Sequence, residues 1–154
     1  MFYFIKIIEN FIIGICIGSF LNVVIFRLPN EMSIISPRSF CPKCMNKIKW
    51  YFNFPILSWI ILRAKCNHCS NKISAKYPLV ELLTGVSFII FSSANPYFYF
   101  FNLNNPFEKI FSWAILSILL AVSFIDFEHF WIPQGLIKFG SFMGILNLIV
   151  IEFY

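Results

Sequence analysis

Four cysteines in the first half of the chain have the spacing of metal ligands. Cys41 and Cys44 form one Cys-x-x-Cys pair, Cys66 and Cys69 form a second, and 21 residues separate the two pairs. Each pair can supply two thiolates from one tight turn, so two pairs complete the tetrahedral shell that Zn²⁺ prefers. The separation slightly exceeds the usual spacing of about 15–20 residues. The pattern predicts a structural zinc site; the alternatives are two disulfides, free thiols or a site that has lost its metal.

The only aspartate, Asp126, is the second candidate for chemistry. It follows an apolar run, and Glu128 and His129 come within the next turn. A carboxylate at a membrane border suits general acid–base work. The simpler interpretations are that Asp126 caps the next helix or marks the interface. His129 is a less favoured metal ligand, because a zinc site needs several partners of this kind.

The elements that must position these residues are strongly apolar. The 154 residues are 59% hydrophobic and 12% charged, and the mean hydropathy is +0.78, whereas about a quarter of the residues in a soluble domain are charged. At about 20 residues per span, this length suffices for roughly four spans and one loop. We therefore predict an all-α integral membrane protein with about four transmembrane helices and a cytoplasmic zinc-knuckle loop formed by the four cysteines.

Hydropathy divides the chain into three parts. Residues 1–26 are expected to form the first transmembrane helix, residues 27–77 the zinc-binding loop, and residues 78–154 a membrane portion with three helices. The three later spans are predicted at 78–94, 107–125 and 135–153, with an outer loop at 95–108.

The first span carries Gly14, Gly18 and Asn22 at intervals of four residues. These residues share one helix face, on which the glycines allow another helix to approach closely. A cleaved signal peptide is the competing interpretation. Asn22 interrupts the apolar run and no A-x-A-like cleavage site precedes Arg27, so we favour an uncleaved helix.

The loop carries nine of the twelve Lys and Arg residues, between Arg27 and Lys76. The positive-inside rule therefore predicts a cytoplasmic loop and an outside N-terminus. A reducing cytoplasm also favours metal binding over disulfides. The apolar stretch 52–62 is too short to span, so it should pack on the knuckles or lie at the interface. Because spans flank the loop, we expect membrane lipid and no nucleic acid as its surroundings, despite its aromatic and basic residues.

Glu81 lies near the start of the second predicted span. A carboxylate at this depth is costly unless it is paired or close to the interface, so it is a functional candidate. The simpler interpretation is a helix-end anchor facing Lys76 or Arg63.

Five runs of residues occur in the order found in one family. They are GSFLNVVIFRLP (18–29), CPKC (41–44), NFPILSWIILRAKC (53–66), YPLVELLTG (77–85) and IDFEHFWIPQGL (125–136). Together they resemble the bacterial type IV prepilin peptidases, which are integral-membrane aspartic leader peptidases. The resemblance implies that Asp126 is one of two catalytic aspartates and that prepilin or pseudopilin leaders are cleaved on the cytoplasmic side. It also implies N-methylation with S-adenosylmethionine, which the family associates with the cysteine-containing loop.

The family carries a second aspartate in a later Gly-x-Gly-Asp segment, and these 154 residues contain no such segment. One carboxylate cannot both hold a proton and activate water, and Glu128 would point roughly 200° away from Asp126 on a continued helix. We expect either a second chain that supplies the aspartate, a shortened relative that keeps binding or methylation, or a decayed remnant. Smaller departures are Ala64 where the family often has glycine and Gln134 where it has aspartate. A non-catalytic membrane scaffold, whose zinc loop binds a partner, is the alternative function.

Overall fold

The computed structural model describes residues 2–92 and 106–152. Within these ranges lie a 3₁₀ turn at Trp50–Phe52 and the α-helices α1 (Phe2–Arg27), α2 (Leu57–Ile61), α3 (Lys76–Ser92), α4 (Pro106–His129) and α5 (Gln134–Glu152). The described residues form isolated β-bridges but no strand. The all-α prediction is confirmed.

Two helices are long and apolar enough to cross a membrane by length and composition, at Phe4–Arg27 and Phe107–His129. Only 33% and 22% of their apolar windows are buried, so most of this surface faces outward, as a lipid-facing helix requires. The apolar part of α5, Gln134–Ile149, is shorter, and α3 has 17 residues. Four transmembrane helices are therefore not confirmed. The predicted outer loop at 95–108 lies mostly outside the described residues.

Helix α1 packs most closely on α3, along the predicted glycine face. A Cβ atom at Gly14 would lie 2.7 Å from the Cα of Gly85, and one at Gly18 would lie 2.6 Å from the Cα of Glu81. Real Cβ atoms are not tolerated at such distances, so only glycine lets the two backbones come this close. The same face continues to Asn22, whose Nδ2 donates a hydrogen bond of 2.9 Å to the carbonyl of Tyr77. This register places the start of α3 beside the last turns of α1.

The hydrophobic core lies between α1, α3 and α4, toward the end at which α1 meets the cysteine-containing loop. Its buried members are Leu21, Val24, Ile25, Val80, Ala121 and Ile125. Farther along the helices, the rings of Phe88 and Trp113 stack at 4.6 Å, and Trp113 Nε1 donates to Ser92 Oγ. These contacts hold α3 against α4 on the side away from the loop.

Helix α4 ends later than its predicted boundary at residue 125. It continues through Asp126 to His129, and Phe130 then adopts φ 47° while its N–H donates 2.8 Å to the Asp126 carbonyl. A left-handed residue of this kind ends a helix by satisfying a free carbonyl. Asp126 therefore lies within the last turn of α4 and does not terminate it.

Candidate functional site

The four predicted ligand cysteines come together. The Sγ atoms of Cys41, Cys44, Cys66 and Cys69 all lie within 4.8 Å of one another, and those of Cys41 and Cys69 are 3.9 Å apart. A tetrahedral shell with Zn–S bonds of about 2.3 Å separates its sulfurs by about 3.8 Å, whereas a disulfide bond measures about 2.05 Å. All four thiols are free. The arrangement can hold one metal ion and contains no disulfide.

Each cysteine pair sits on a knuckle with the same backbone pattern. In the first, the N–H of Cys41 donates to the Asn46 carbonyl and the N–H of Met45 donates to the Cys41 carbonyl. The second repeats both bonds 25 residues later, from Cys66 to Asn71 and from Ser70 to Cys66. Met45 and Ser70 have φ 58° and 56°, which lets the chain reverse directly after the second cysteine.

This repetition is visible in the sequence and was not predicted. CPKCMNKI at 41–48 and CNHCSNKI at 66–73 share both cysteines and the following Asn-Lys-Ile. Internal self-similarity of this kind indicates two copies of one local structure. The two copies supply two ligands each, which explains why a long separation between the pairs still yields one compact cluster.

The two thiols of the second knuckle differ in pKa. Backbone N–H groups of Cys69 and His68 lower the pKa of Cys66 from 9.0 to about 7, because they stabilise the thiolate. The N–H of Asn71 acts in the same direction on Cys69, but loss of solvent and the three neighbouring sulfurs outweigh it and raise the pKa of Cys69 to about 11. Four negative charges at this spacing repel one another, so full ionisation requires a bound cation.

Arg27 anchors the loop where it leaves α1. Its guanidinium is buried and donates to the carbonyls of Ser33 at 2.8 Å, Ile34 at 3.3 Å and Pro37 at 2.6 Å. It also lies 5.7 Å from the centre of the Phe40 ring. The planar fork of arginine suits several carbonyls at once. Arg27 therefore fixes the approach to the first knuckle.

The short helix α2 confirms the first of the two alternatives given for the apolar stretch 52–62, packing on the knuckles, while a position at the membrane interface stays a prediction. Trp59 Nε1 donates 3.2 Å to the carbonyl of Ile73, so α2 packs on the second knuckle. Its opposite face exposes Leu57, Ile60 and Ile61. An amphipathic segment of this kind can cover the metal loop and present an apolar surface at the same time.

Glu81 does not pair with either predicted cation. Its Oε2 accepts a 2.7 Å hydrogen bond from the backbone N–H of Ile56, which connects α3 to the start of α2. Lys76 instead pairs with Glu128, at 2.6 Å, and no ion pair in the described ranges links Glu81 to Arg63. The helix-end anchor is therefore wrong, and Glu81 is a buried carboxylate held by a backbone amide.

Asp126 is exposed on the last turn of α4. Two residues on, Glu128 binds Lys76 Nζ and lies 3.9 Å from His129 Nε2. Because Lys76 begins α3, this ion pair holds the Asp126 end of α4 beside the end of the loop. Glu81 lines a cavity beside the two knuckles, whereas Asp126 does not line that cavity.

Comparison with known proteins identifies related sequences. A family model described as the Bacterial Peptidase A24 N-terminal domain matches residues 12–94. A prepilin leader peptidase/N-methyltransferase of Myxococcus xanthus is 42% identical over 135 residues, which are 88% of this chain and 38% of that protein. A type 4 prepilin-like proteins leader peptide-processing enzyme of Escherichia coli is 37% identical over 142 residues, 79% of this chain and 49% of the relative.

A third relative, a prepilin leader peptidase/N-methyltransferase of Neisseria gonorrhoeae, is 32% identical over 155 residues, 81% of this chain and 49% of that protein. The chain thus spans about a third to a half of the length of these relatives. No solved structure matches.

Proposed function

The chain belongs to the family of the bacterial peptidase A24 N-terminal domain, and from this membership we propose that it is a prepilin peptidase-like protein of the bacterial inner membrane. It takes part in cleaving the leaders of type IV prepilins or pseudopilins at the cytoplasmic face and in N-methylating the new terminus with S-adenosylmethionine. The observation that carries this proposal is the match over residues 12–94, which include all four ligand cysteines and Glu81.

Asp126 is the residue proposed for peptide-bond cleavage. An aspartic peptidase adds the oxygen of a water molecule to the peptide carbonyl, breaks the C–N bond and delivers a proton to the leaving amine. One carboxylate takes the proton from water while the other starts protonated. Asp126 is the only aspartate among the 154 residues, so a second aspartate would come from outside them. The exposure of Asp126 supports this, because a partner can reach it.

Cleavage is tested by co-expressing the chain with a membrane segment that bears Gly-x-Gly-Asp, together with a prepilin substrate. We expect leader cleavage with the native chain and none with Asp126→Asn. Glu31→Gln, an exposed acid-to-amide change elsewhere, is the matched control and should cleave normally. Cleavage that persists in Asp126→Asn would refute the aspartic mechanism for this residue.

A structural zinc ion is proposed at the four cysteines. When bound, the ion would neutralise thiolate charge and hold the two knuckles together. We expect about one zinc per chain in detergent-purified protein. Cys66→Ser should lose the metal, whereas Cys16→Ser, on α1 and outside the cluster, should retain it. A metal-free native chain, or equal zinc content in the two variants, would contradict the assignment.

The apolar face of α2 favours one alternative. Leu57, Ile60 and Ile61 are between 58% and 70% exposed, as a docking surface on a non-catalytic membrane scaffold would require. The co-expression experiment separates the two functions. Absence of cleavage with every supplied Gly-x-Gly-Asp segment, in protein that retains its zinc, would favour the scaffold.

A further inference from the structure

A cavity of about 370 Å³ lies between α1, α3 and the cysteine-containing loop. Its floor is formed by the last turns of α1 and the first turns of α3, and its walls by the two knuckles and α2. Small-molecule sites in proteins typically measure about 300–1,000 Å³. The cavity therefore has the size of a site for a small organic molecule, and no residue proposed for peptide cleavage lines it.

Glu81 supplies the cavity with a buried carboxylate. The residue is 7% exposed, and within residues 2–92 and 106–152 its Oε2 accepts a hydrogen bond from the backbone N–H of Ile56. The side chains of Ser19 and Asn22 are its polar neighbours, and no Lys or Arg of those ranges forms an ion pair with it. A carboxylate shielded from water in this way is strongly stabilised by a cation.

Two further polar atoms on the cavity wall have no hydrogen-bond partner within residues 2–92 and 106–152. Asn22 is 6% exposed and Ser58 is 8% exposed, and neither Asn22 Oδ1 nor Ser58 Oγ finds a hydrogen-bond partner in the described part of the chain. The Nδ2 group of Asn22 is already used by the carbonyl of Tyr77, which leaves Oδ1 as a free acceptor. A buried acceptor without a donor is unfavourable, because it has lost the hydrogen bonds that water would donate to it. A ligand that donates hydrogen bonds would satisfy these atoms.

The remaining cavity walls indicate which other chemical groups such a ligand carries. Phe40, Trp59 and Tyr77 supply aromatic surface, while the exposed Lys43 and Lys47 line the cavity on its solvent side. Aromatic faces accept a cation or a planar ring, and lysines attract a carboxylate. The complementary molecule is a zwitterionic organic cation that also carries an apolar or planar portion.

We infer that this cavity binds the methyl donor S-adenosylmethionine, with the Glu81 carboxylate facing a cationic group of the donor and Asn22 Oδ1 accepting one of its N–H groups. The molecule combines an ammonium, a sulfonium, a carboxylate and a planar base, which are the groups that the walls complement. This inference rests on the proposed N-methylation. It adds the location of the donor beneath the metal loop, and it makes Glu81 a binding residue distinct from the peptidase residue Asp126.

The test is direct binding to the detergent-purified full chain, measured by equilibrium dialysis with radiolabelled S-adenosylmethionine. Because a hydrogen bond to a charged group is stronger than one to a neutral group, Glu81→Gln should weaken binding by about tenfold or more. Glutamine can still accept the N–H of Ile56, so the fold should survive. Glu31→Gln is the matched control and should bind as the native chain does. Equal affinity of the native chain and Glu81→Gln, or no binding to the native chain, would overturn the inference.

Two further measurements distinguish this inference from misfolding of the variant and from a different ligand in the cavity. Photocrosslinking of the donor to the native chain should label peptides that contain Trp59 or Tyr77, and labelling confined to other peptides would overturn the location even if Glu81→Gln fails to fold. Binding of a peptide with a free amino terminus in place of the donor would also overturn it. Leader cleavage is assayed independently: cleavage without donor binding refutes this inference alone, and Glu81-dependent binding without cleavage refutes the peptidase proposal alone.

Discussion

Replacing Gly18 with alanine should force α1 and α3 apart at the level of Glu81. The added Cβ would lie 2.6 Å from the Cα of Glu81 and 3.1 Å from Thr84 Oγ1, whereas non-bonded carbon atoms rest at about 3.5–4.0 Å. Because the closest obstacle is backbone, no side-chain rotation relieves the overlap, and α3 must move by about 1 Å. Overpacking of this kind costs about 1–3 kcal/mol.

Alanine also recovers up to about 1 kcal/mol of helix propensity relative to glycine. The net destabilisation of Gly18→Ala should therefore be about 0–2 kcal/mol. Gly144 offers a matched control, since a Cβ there meets nothing within 4 Å. Gly144→Ala lies in α5 and should keep the propensity gain without a clash. Because the propensity gain is common to both, the two variants should differ in free energy of unfolding by about 1–3 kcal/mol, which is the cost of the clash.

Reversible unfolding in bicelles, followed by far-ultraviolet circular dichroism, measures this difference. The displacement of α3 should also loosen the hydrogen bond between Ile56 and Glu81, so Gly18→Ala should bind the proposed donor more weakly than Gly144→Ala. The reasoning is refuted if Gly18→Ala unfolds at the same free energy as Gly144→Ala, or at a higher one. Such a result would mean that the two helices are not in backbone contact.

Three further predictions concern the loop. Arg27→Lys should destabilise the loop by about 2–3 kcal/mol, because an ammonium cannot donate to the carbonyls of Ser33 and Pro37 in the planar geometry of a guanidinium. Limited proteolysis at residues 30–40 should accelerate, and unchanged protection would count against this role of Arg27. Ala64→Gly should stabilise the chain by about 1 kcal/mol, because Ala64 has φ 59°; a lower melting temperature would contradict this. Removing zinc with a chelator should expose residues 41–73 to protease while α1 and α3 remain protected, and simultaneous digestion of the helices would contradict a locally acting metal.

Several features could be predicted because their causes are local. The Cys-x-x-Cys turns, the apolar helices and the shared face of Gly14, Gly18 and Asn22 all follow from spacing along one segment. The departure at Ala64 also acquires a physical reason, since its left-handed backbone is one that glycine adopts without strain. Asp126 was found from its type and position, and its catalytic role stays a prediction.

Other features were mistaken or missed because they depend on residues far apart in the chain. The partner of Glu81 is the amide of Ile56, 25 residues away, and the partner of Lys76 is Glu128, 52 residues away. The prediction from the sequence used charge alone and therefore paired Glu81 with the nearest cations. Proximity in sequence does not decide which ion pair forms once two helices cross, so those pairings could not be derived from composition.

The sequence by itself determined the apolar helical class, the cysteine ligands and the family resemblance, because each resides in residue types and short spacings. Only the tertiary structure decided how they combine. The glycine contact brings α3 against α1, and this approach places Glu81 and Asn22 under the two knuckles with unused acceptors facing a cavity. Neither the cavity nor its unpaired atoms has a local cause, since both are created by the surfaces that remain after the helices and the loop have packed.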